Sequence, residues 1–382
     1  MIDSKLPDIG ISIFAVMSKM ANDSRAINLS QGFPDFNCSD ELIELFHRYQ
    51  KEGFNQYAPY PGVMVLRENI SKKTQMLYGK YYNPETEITV TAGATQALYT
   101  AITILIKKND EAILLEPAYD SYAPAVIASG GRPISVPLDF PNYNINWNKV
   151  KDAISSKTKL IIINSPHNPT GSVISRTDIK VLEELLRDKD IFVISDEVYE
   201  HIVFDGQKHI SLCTSEELSK KSFIISSFGK TFHATGWKVG YCVAPESLMY
   251  EFRKLHQFML FSVNTPAQYA YAEYLNNPEN YLYLNSFYQK KRDLFLNELK
   301  NSNFIFTPAE GTYFQLLDYS RITQITDMEF SEYLTKKVGV AVIPISPFMK
   351  TSKHQIIRTC FAKKDDVLLQ AAEKLKDVRE IR

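Results

Sequence analysis

Residues 160–199 read LIIINSPHNPTGSVISRTDIKVLEELLRDKDIFVISDEVY. The runs Leu160–Asn164 and Phe192–Ser195 are almost wholly apolar, as strands buried on both faces must be. Thr177–Arg187 between them reads as a helix. Strand, helix, strand with continuous apolar strands is the pattern of a mostly parallel sheet covered by helices.

The alternation continues on both sides. Strands are expected at Glu87–Thr91, Ala112–Leu115, Pro133–Val136, Phe223–Ser226 and Val239–Val243, and helices at Ala94–Ile106, Tyr119–Ser129 and Lys149–Ile154. Beyond Glu246 long helical stretches run to about Leu299. The tail then reads strand Tyr313–Leu317, helix Phe330–Lys337, strands Ala341–Ile343 and Ile356–Cys360, and helix Asp366–Val378. The fold class is therefore α/β. A large unit over 41–280 carries the mostly parallel sheet, and a small α+β unit is built from both chain ends, 1–40 and 281–382. A chain of 382 residues, at roughly 150 residues per domain, has room for both.

Composition removes several classes of function. The 43 Lys and Arg nearly balance 44 Asp and Glu, which argues against a nucleic-acid partner. Twenty-two Tyr and 22 Phe require burial and argue against disorder. Cys38, Cys213, Cys242 and Cys360 are scattered without a C-x-x-C pair, so neither a disulfide framework nor a metal site is expected. The start, MIDSKLPDIG, lacks the basic and apolar segments of a secretory signal. The longest aliphatic run, Leu160–Ile163, is far short of the ~20 residues that cross a bilayer. A cytoplasmic protein without membrane contact is the expectation.

Ligands of such sheets sit beyond the carboxyl ends of the strands. Four strand ends stand out. Thr91-Ala-Gly-Ala-Thr-Gln opens a helix with small residues, so that the amides of Gly93 and Ala94, with the Thr95 hydroxyl, can approach an anion; a plain tight turn is the other reading. Asn168 lies between two prolines that fix the backbone. Asp196 ends an apolar strand, where a carboxylate is costly unless it meets a cation; alone, it also suits a helix N-cap. Lys230, in Ser226-Ser-Phe-Gly-Lys, follows an apolar strand, and a lysine half-removed from water is a usable amine nucleophile. A surface lysine would be the ordinary outcome.

Together, N-P-x-G around Asn168, D-E-V-Y at Asp196 and S-F-G-K at Lys230 resemble the pyridoxal-phosphate-dependent class I/II aminotransferases of fold type I. The strings Leu29-Ser-Gln-Gly-Phe-Pro-Asp-Phe, Asn55-Gln-Tyr-Ala-Pro, Gly311-Thr-Tyr-Phe and Gly229-Lys-Thr-Phe-His-Ala-Thr-Gly-Trp-Lys-Val-Gly-Tyr are similar to the branch of methionine aminotransferases and kynurenine/glutamine transaminases. The likeness covers essentially the whole chain.

The resemblance implies pyridoxal 5′-phosphate as cofactor, covalently held by Lys230, which also shuttles a proton. It places Asp196 on the pyridine nitrogen, Tyr199 and Asn168 on the phenolic oxygen, and Tyr119 against the ring face. The phosphate falls to Gly93, Ala94, Thr95, Ser227 and Lys238, with Tyr57 arriving from the neighbouring subunit of a homodimer. Lys238 stands where much of the family has arginine, and the branch just named shares the lysine. Arg358 is implied to bind the substrate carboxylate, with Gly32 and Asn168 beside it. Phe14, Tyr60 and, from the partner, Phe261 are implied to line a neutral aromatic side-chain pocket. No second cation for an acidic substrate stands out, because Arg292 reads as a solvated helix face. The implied reaction moves the amino group of methionine, with aromatic amino acids, His or Gln as further donors, to a 2-oxo acid by a ping-pong route. The alternative is a kynurenine/glutamine transaminase with cysteine-S-conjugate β-lyase activity.

Overall fold

The computed structural model describes residues 3–350 and 354–379. Twelve strands form three sheets among these residues. In chain order they are β1 (Ile27–Asn28), β2 (Ile88–Thr91), β3 (Glu111–Glu116), β4 (Arg132–Pro137), β5 (Thr158–Asn164), β6 (Phe192–Asp196), β7 (Ser222–Ser227), β8 (Gly240–Val243), β9 (Phe314–Asp318), β10 (Val340–Ala341), β11 (Ile343–Pro344) and β12 (Ile356–Cys360).

The central sheet has seven strands in the order β2-β8-β7-β6-β5-β3-β4. Only β8 runs against its neighbours; the other pairings are parallel. The sequence explains why it is covered on both sides. Along β5, Ile161 and Ile163 enter one apolar cluster, whereas Leu160 and Ile162 enter a second on the opposite face. Successive strand residues point to opposite faces, so a two-sided strand has no polar position to spare. At about 1.5–3 kcal/mol for each buried aliphatic side chain, this packing dominates the stability of the central sheet. A carboxylate at Ile162 would be buried without a partner and would break it.

Cover on the second face includes the helix Gly93–Leu105, whose Ala97, Leu98, Ala101 and Ile102 are buried. The first face carries residues of both chain ends, among them Met17, Leu29, Val340 and Leu368. The ends meet directly: β1 pairs in parallel with β10, and β9, β12 and β11 form an antiparallel sheet.

Some boundaries differ from those read in the sequence. The helix expected from Tyr119 begins at Tyr122; residues 119–122 form a turn before it, with the Tyr122 amide donating to the Tyr119 carbonyl at 3.2 Å. The strand expected over Ala341–Ile343 divides, one half pairing with β1 and the other with β12. The helix expected from Phe330 starts at Asp327 behind a Thr326–Glu329 capping box. Arg292 is not solvated. It is buried, bonded to Asp205 at 2.6 and 2.8 Å and to the Ala309 carbonyl at 2.8 Å. Its helix packs on more than the apolar stripe, so the charged face is covered too.

Candidate active site

The carboxyl ends of β5, β6 and β7 open into a cavity of about 320 Å³, within the range of small-molecule sites. The parallel register sets Asn164 beside Asp196. Asn164 clamps the turn that follows each strand. Its Nδ2 donates to the Asp196 carbonyl at 2.8 Å, and its Oδ1 accepts the Asn168 amide at 2.8 Å. The tight turn holding Asn168 is thereby fixed against β6.

Asp196 is buried. Tyr122 donates to its Oδ2 at 2.6 Å, and the Val198 amide to its Oδ1 at 3.3 Å. Burial pushes its carboxyl up to about 6, against the pull of those donors and of Lys230. Lys230 sits in a single helical turn, Phe228–Thr231, directly after β7. Its residue is half-buried and opens onto the cavity, and its Nζ donates to the Gly32 carbonyl at 3.1 Å. Removal from water pushes the amine down to about 8; Arg358 and Lys238 add to this, while Cys360 and Asp196 oppose it. Tyr313 donates to the same Gly32 carbonyl at 2.7 Å. Burial raises the Tyr199 hydroxyl far above the ordinary tyrosine range.

Arg358 lies in the middle of β12 and is fully buried. Its Nη1 donates to Asn168 Oδ1 at 2.9 Å and its Nη2 to the Ser30 carbonyl at 2.9 Å, while Nε has no partner. Phe314 stacks on the guanidinium at 3.9 Å, with Phe14 at 5.2 Å. Burial lowers its proton affinity, yet no carboxylate among the described residues forms an ion pair with it. A buried cation in this state calls for an anion from outside the chain.

On the opposite wall, the helix Gly93–Leu105 begins without a side-chain cap. Its first amides are left for a ligand, and a helix N-terminus favours negative charge. Gly93 has φ +72, and the Lys238 amine lies 3.4 Å from where its Cβ would stand. Gly240 allows β8 to approach this turn; a Cβ there would come within 2.9 Å of the Ala94 nitrogen. Thr95 and Ser227 add hydroxyls to the wall. Burial pushes the Tyr119 hydroxyl up to about 12, while nearby Thr95 pulls it back.

Thirteen of the residues singled out in the sequence thus line one cavity, from Phe14 and Gly32 to Arg358. Tyr57, Tyr60 and Phe261 do not. They lie on the surface, Tyr57 80% exposed, with Tyr57 packed edge-on against Phe261 at 5.1 Å. Sequence reading did not assign Tyr122, Asn164, Tyr313 or Phe314. Asn164, Tyr313 and Phe314 fell inside quoted motifs without a role. Tyr122 lies three residues after Tyr119, a helical spacing that could have marked it.

A covered, mostly parallel sheet with a half-buried lysine, a buried aspartate and an uncapped helix N-terminus at its strand ends defines a class. The profile described as "Aminotransferase class I and II" matches residues 24–375, and the chain belongs to this family. It is an aminotransferase, and its cofactor is pyridoxal 5′-phosphate. It is 49% identical over 377 residues to the methionine aminotransferase of Escherichia coli K12, covering 98% of both chains. The solved structure of an E. coli protein with methionine aminotransferase function superposes with a TM-score of 0.96 at 49% identity, over 98% of this chain and 99% of that one. Kynurenine–oxoglutarate transaminase of Dictyostelium discoideum is 35% identical, covering 95% of this chain and 93% of its own. N-succinyldiaminopimelate aminotransferase of Mycobacterium tuberculosis superposes at a TM-score of 0.95 with 34% identity, over 99% of this chain and 100% of that one.

Proposed function

We propose that this enzyme moves the amino group of methionine to a 2-oxo acid in two half-reactions through one site, with aromatic amino acids, His and Gln as further donors. The observation that carries the reading is Arg358: fully buried, without an ion-pair partner among the described residues, and facing the cavity that Lys230 enters. A substrate α-carboxylate supplies the missing anion through a two-point contact. Lys230 and Lys238 are the other lining cations, and both are committed to the cofactor. A second carboxylate therefore finds no partner, whereas Phe14 and Phe314 suit an apolar side chain.

The residues present fit the cofactor. Asp196, buried with its carboxyl pushed up to about 6, is the group a protonated ring nitrogen would satisfy. The uncapped amides at Gly93 and Ala94, with Thr95, Ser227 and the Lys238 amine, would hold the phosphate. Tyr119 would cover one ring face. Asn168 Oδ1 is taken by Arg358, which leaves its amide hydrogens for the phenolic oxygen, with Tyr199 as second donor. When bound, pyridoxal phosphate supplies an aldehyde that takes up the amino group and a ring that accepts the electrons of a broken Cα–H bond. Lys230, whose amine burial pushes down to about 8, is eased towards its neutral form and would be suited to hold the α-proton and hand it on across the nitrogen.

The exposed aromatics Tyr57 and Phe261 support a homodimer in which they reach the partner's site, with Tyr60 on the same exposed segment as Tyr57. A division into 41–280 and the joined ends 1–40 with 281–382 puts Lys230 and Arg358 in different units, so substrate would favour closure between them. The four free cysteines suit a reducing compartment, and we place the enzyme in the cytoplasm.

The test is a donor panel with several 2-oxo acids. L-methionine should bleach the visible band of the holoenzyme and give a kcat/KM at least about tenfold above aspartate or glutamate; the reverse order would sink the reading. Kynurenine as the best donor, or pyruvate released from cysteine S-conjugates without an acceptor, would instead favour the transaminase and β-lyase alternative.

A further inference from the structure

His256 is fully buried on the helix Glu246–Met259. Its Nε2 lies 2.9 Å from the Tyr60 carbonyl. A carbonyl can only accept, so Nε2 carries the hydrogen and Nδ1 offers a lone pair. That lone pair faces Gln96 Nε2 at 3.2 Å. The second hydrogen of the same Gln96 nitrogen goes to Thr100 Oγ1 at 2.8 Å. Both amide hydrogens are therefore committed, and the orientation of the carboxamide is fixed. Its Oε1 accepts the Ala92 amide at 3.2 Å. Ala92 is the residue at which the helix Gly93–Leu105 begins, and no side chain caps that end.

We propose that His256 and Gln96 form a positioning relay that ties the Tyr57–Tyr60 segment to the first turn of this helix and so sets the grip on the cofactor's phosphate. Neither residue lines the cavity; both act through Ala92. By taking the Ala92 amide, Gln96 fixes the turn while leaving the amides of Gly93 and Ala94 free. By taking the Tyr60 carbonyl, His256 gives the same turn a reference on the exposed aromatic segment. The inference rests on the cradle reading above.

The two bonds of the imidazole can be separated by substitution. His256→Gln can place an amide hydrogen near the Nε2 position and keep Tyr60, but it loses the acceptor for Gln96. His256→Asn can keep an acceptor near the Nδ1 position and loses Tyr60. Gln96→Leu removes the contact with Ala92. The probes are pyridoxal 5′-phosphate and pyridoxal, each titrated into full-length apoenzyme by absorbance, with solution mass measured alongside. Loss of one such buried bond corresponds to about threefold to tenfold in affinity. Gln96→Leu and His256→Gln should each weaken pyridoxal phosphate by that factor and leave pyridoxal unchanged. The double variant should lose no more than either single one. His256→Asn keeps the acceptor for Gln96 and loses only the tie to Tyr60, so it should weaken pyridoxal phosphate by less than His256→Gln does, again with pyridoxal unchanged.

Equal loss for both probes would make the residues merely structural and overturn the proposal, as would wild-type affinity in Gln96→Leu. A wild-type apoenzyme that binds both probes equally well would show that the cradle reading itself is wrong. If Gln96→Leu does not fold, the comparison of His256→Gln with His256→Asn decides: the proposal requires the first to be weaker for the phosphorylated probe only.

Discussion

The Tyr122 hydroxyl donates to Asp196 Oδ2 at 2.6 Å within the protein interior, linking the acid at the end of β6 to the helix that covers the sheet beside it. Burial pushes that acid up to about 6, and the Tyr122 bond pulls it back. Tyr122→Phe therefore raises the carboxyl further and weakens its hold on a protonated ring nitrogen. A hydrogen bond to a charged group contributes about 1.5–3 kcal/mol, so cofactor affinity should fall at least about tenfold. The fall should be greater at pH 6 than at pH 8, where ionisation of the carboxylate is favoured more strongly in both proteins. Titration of apoenzyme at the two pH values measures it, and an equal loss at both would mean that the hydroxyl matters only for packing.

Lys230 and Asp196 disfavour their charged forms in the cofactor-free protein, with opposite pH signs. Asp196 is raised on folding from 3.8 to about 6; the stability it contributes is full below 3.8 and is lost as pH rises through 6. Lys230 is lowered from 10.5 to about 8; its contribution is full above 10.5 and is lost as pH falls through 8. Both penalties are present between pH 6 and 8. Lys230→Met, close in volume and uncharged, should make the apoenzyme more stable at pH 7, by about 1–2 kcal/mol after allowance for partial solvent contact. The gain should shrink as pH rises from 8 towards 10.5. Urea unfolding across this range is the measurement. The same variant should lose the covalent visible band and turnover; retained turnover would remove Lys230 from the chemistry.

Arg358→Lys keeps the charge but loses the fork, and with it one of the contacts to Asn168 and Ser30. Losing one charge-assisted hydrogen bond of the two-point contact costs about 1.5–3 kcal/mol. The variant should therefore lose at least about tenfold in kcat/KM for L-methionine. It should react with 3-methylthiopropylamine, which has no carboxylate, as the wild type does. An equal loss for the amine would place Arg358 in the architecture rather than in substrate recognition.

Local sequence carried most of the sheet and much of the site, for physical reasons. Runs such as Leu160–Asn164 leave no choice of face, and strand ends such as Asp196 expose the residues that interrupt them. What local pattern could not supply was pairing over distance. Arg292 has charged neighbours and reads as a solvated face, yet Asp205 and the Ala309 carbonyl cover it. Tyr122 looks like an ordinary core aromatic until β6 brings Asp196 to its hydroxyl. The division of Ala341–Ile343 between two sheets depends on a partner more than 300 residues away, Asn28, which pairs with Ala341.

Behind the site, Glu200 is buried and held far below the usual carboxylate range. Desolvation acts to raise it, but Lys73 at 2.6 Å and the hydroxyl of Ser226 more than compensate. Tyr78 donates to its other oxygen at 2.6 Å. Ser226 precedes Ser227, and Glu200 follows Tyr199, so this pair braces both the cavity wall at Ser227 and the turn after β6. Removing one partner of a buried ion pair leaves an uncompensated charge, at a cost of about 3–5 kcal/mol. Lys73→Met should lose that amount in urea at pH 7, together with cofactor affinity. Because the folded carboxyl lies below its unfolded value of 4.5, the wild-type contribution is present above 4.5 and is lost as pH falls towards the folded value. In Lys73→Met the carboxyl rises, so lowering the pH from 7 to 5 should narrow the gap to wild type. Adding Glu200→Gln removes the orphaned charge and should recover at least half of the lost stability at pH 7. A double variant no more stable than Lys73→Met would show that Lys73 acts through its aliphatic packing instead.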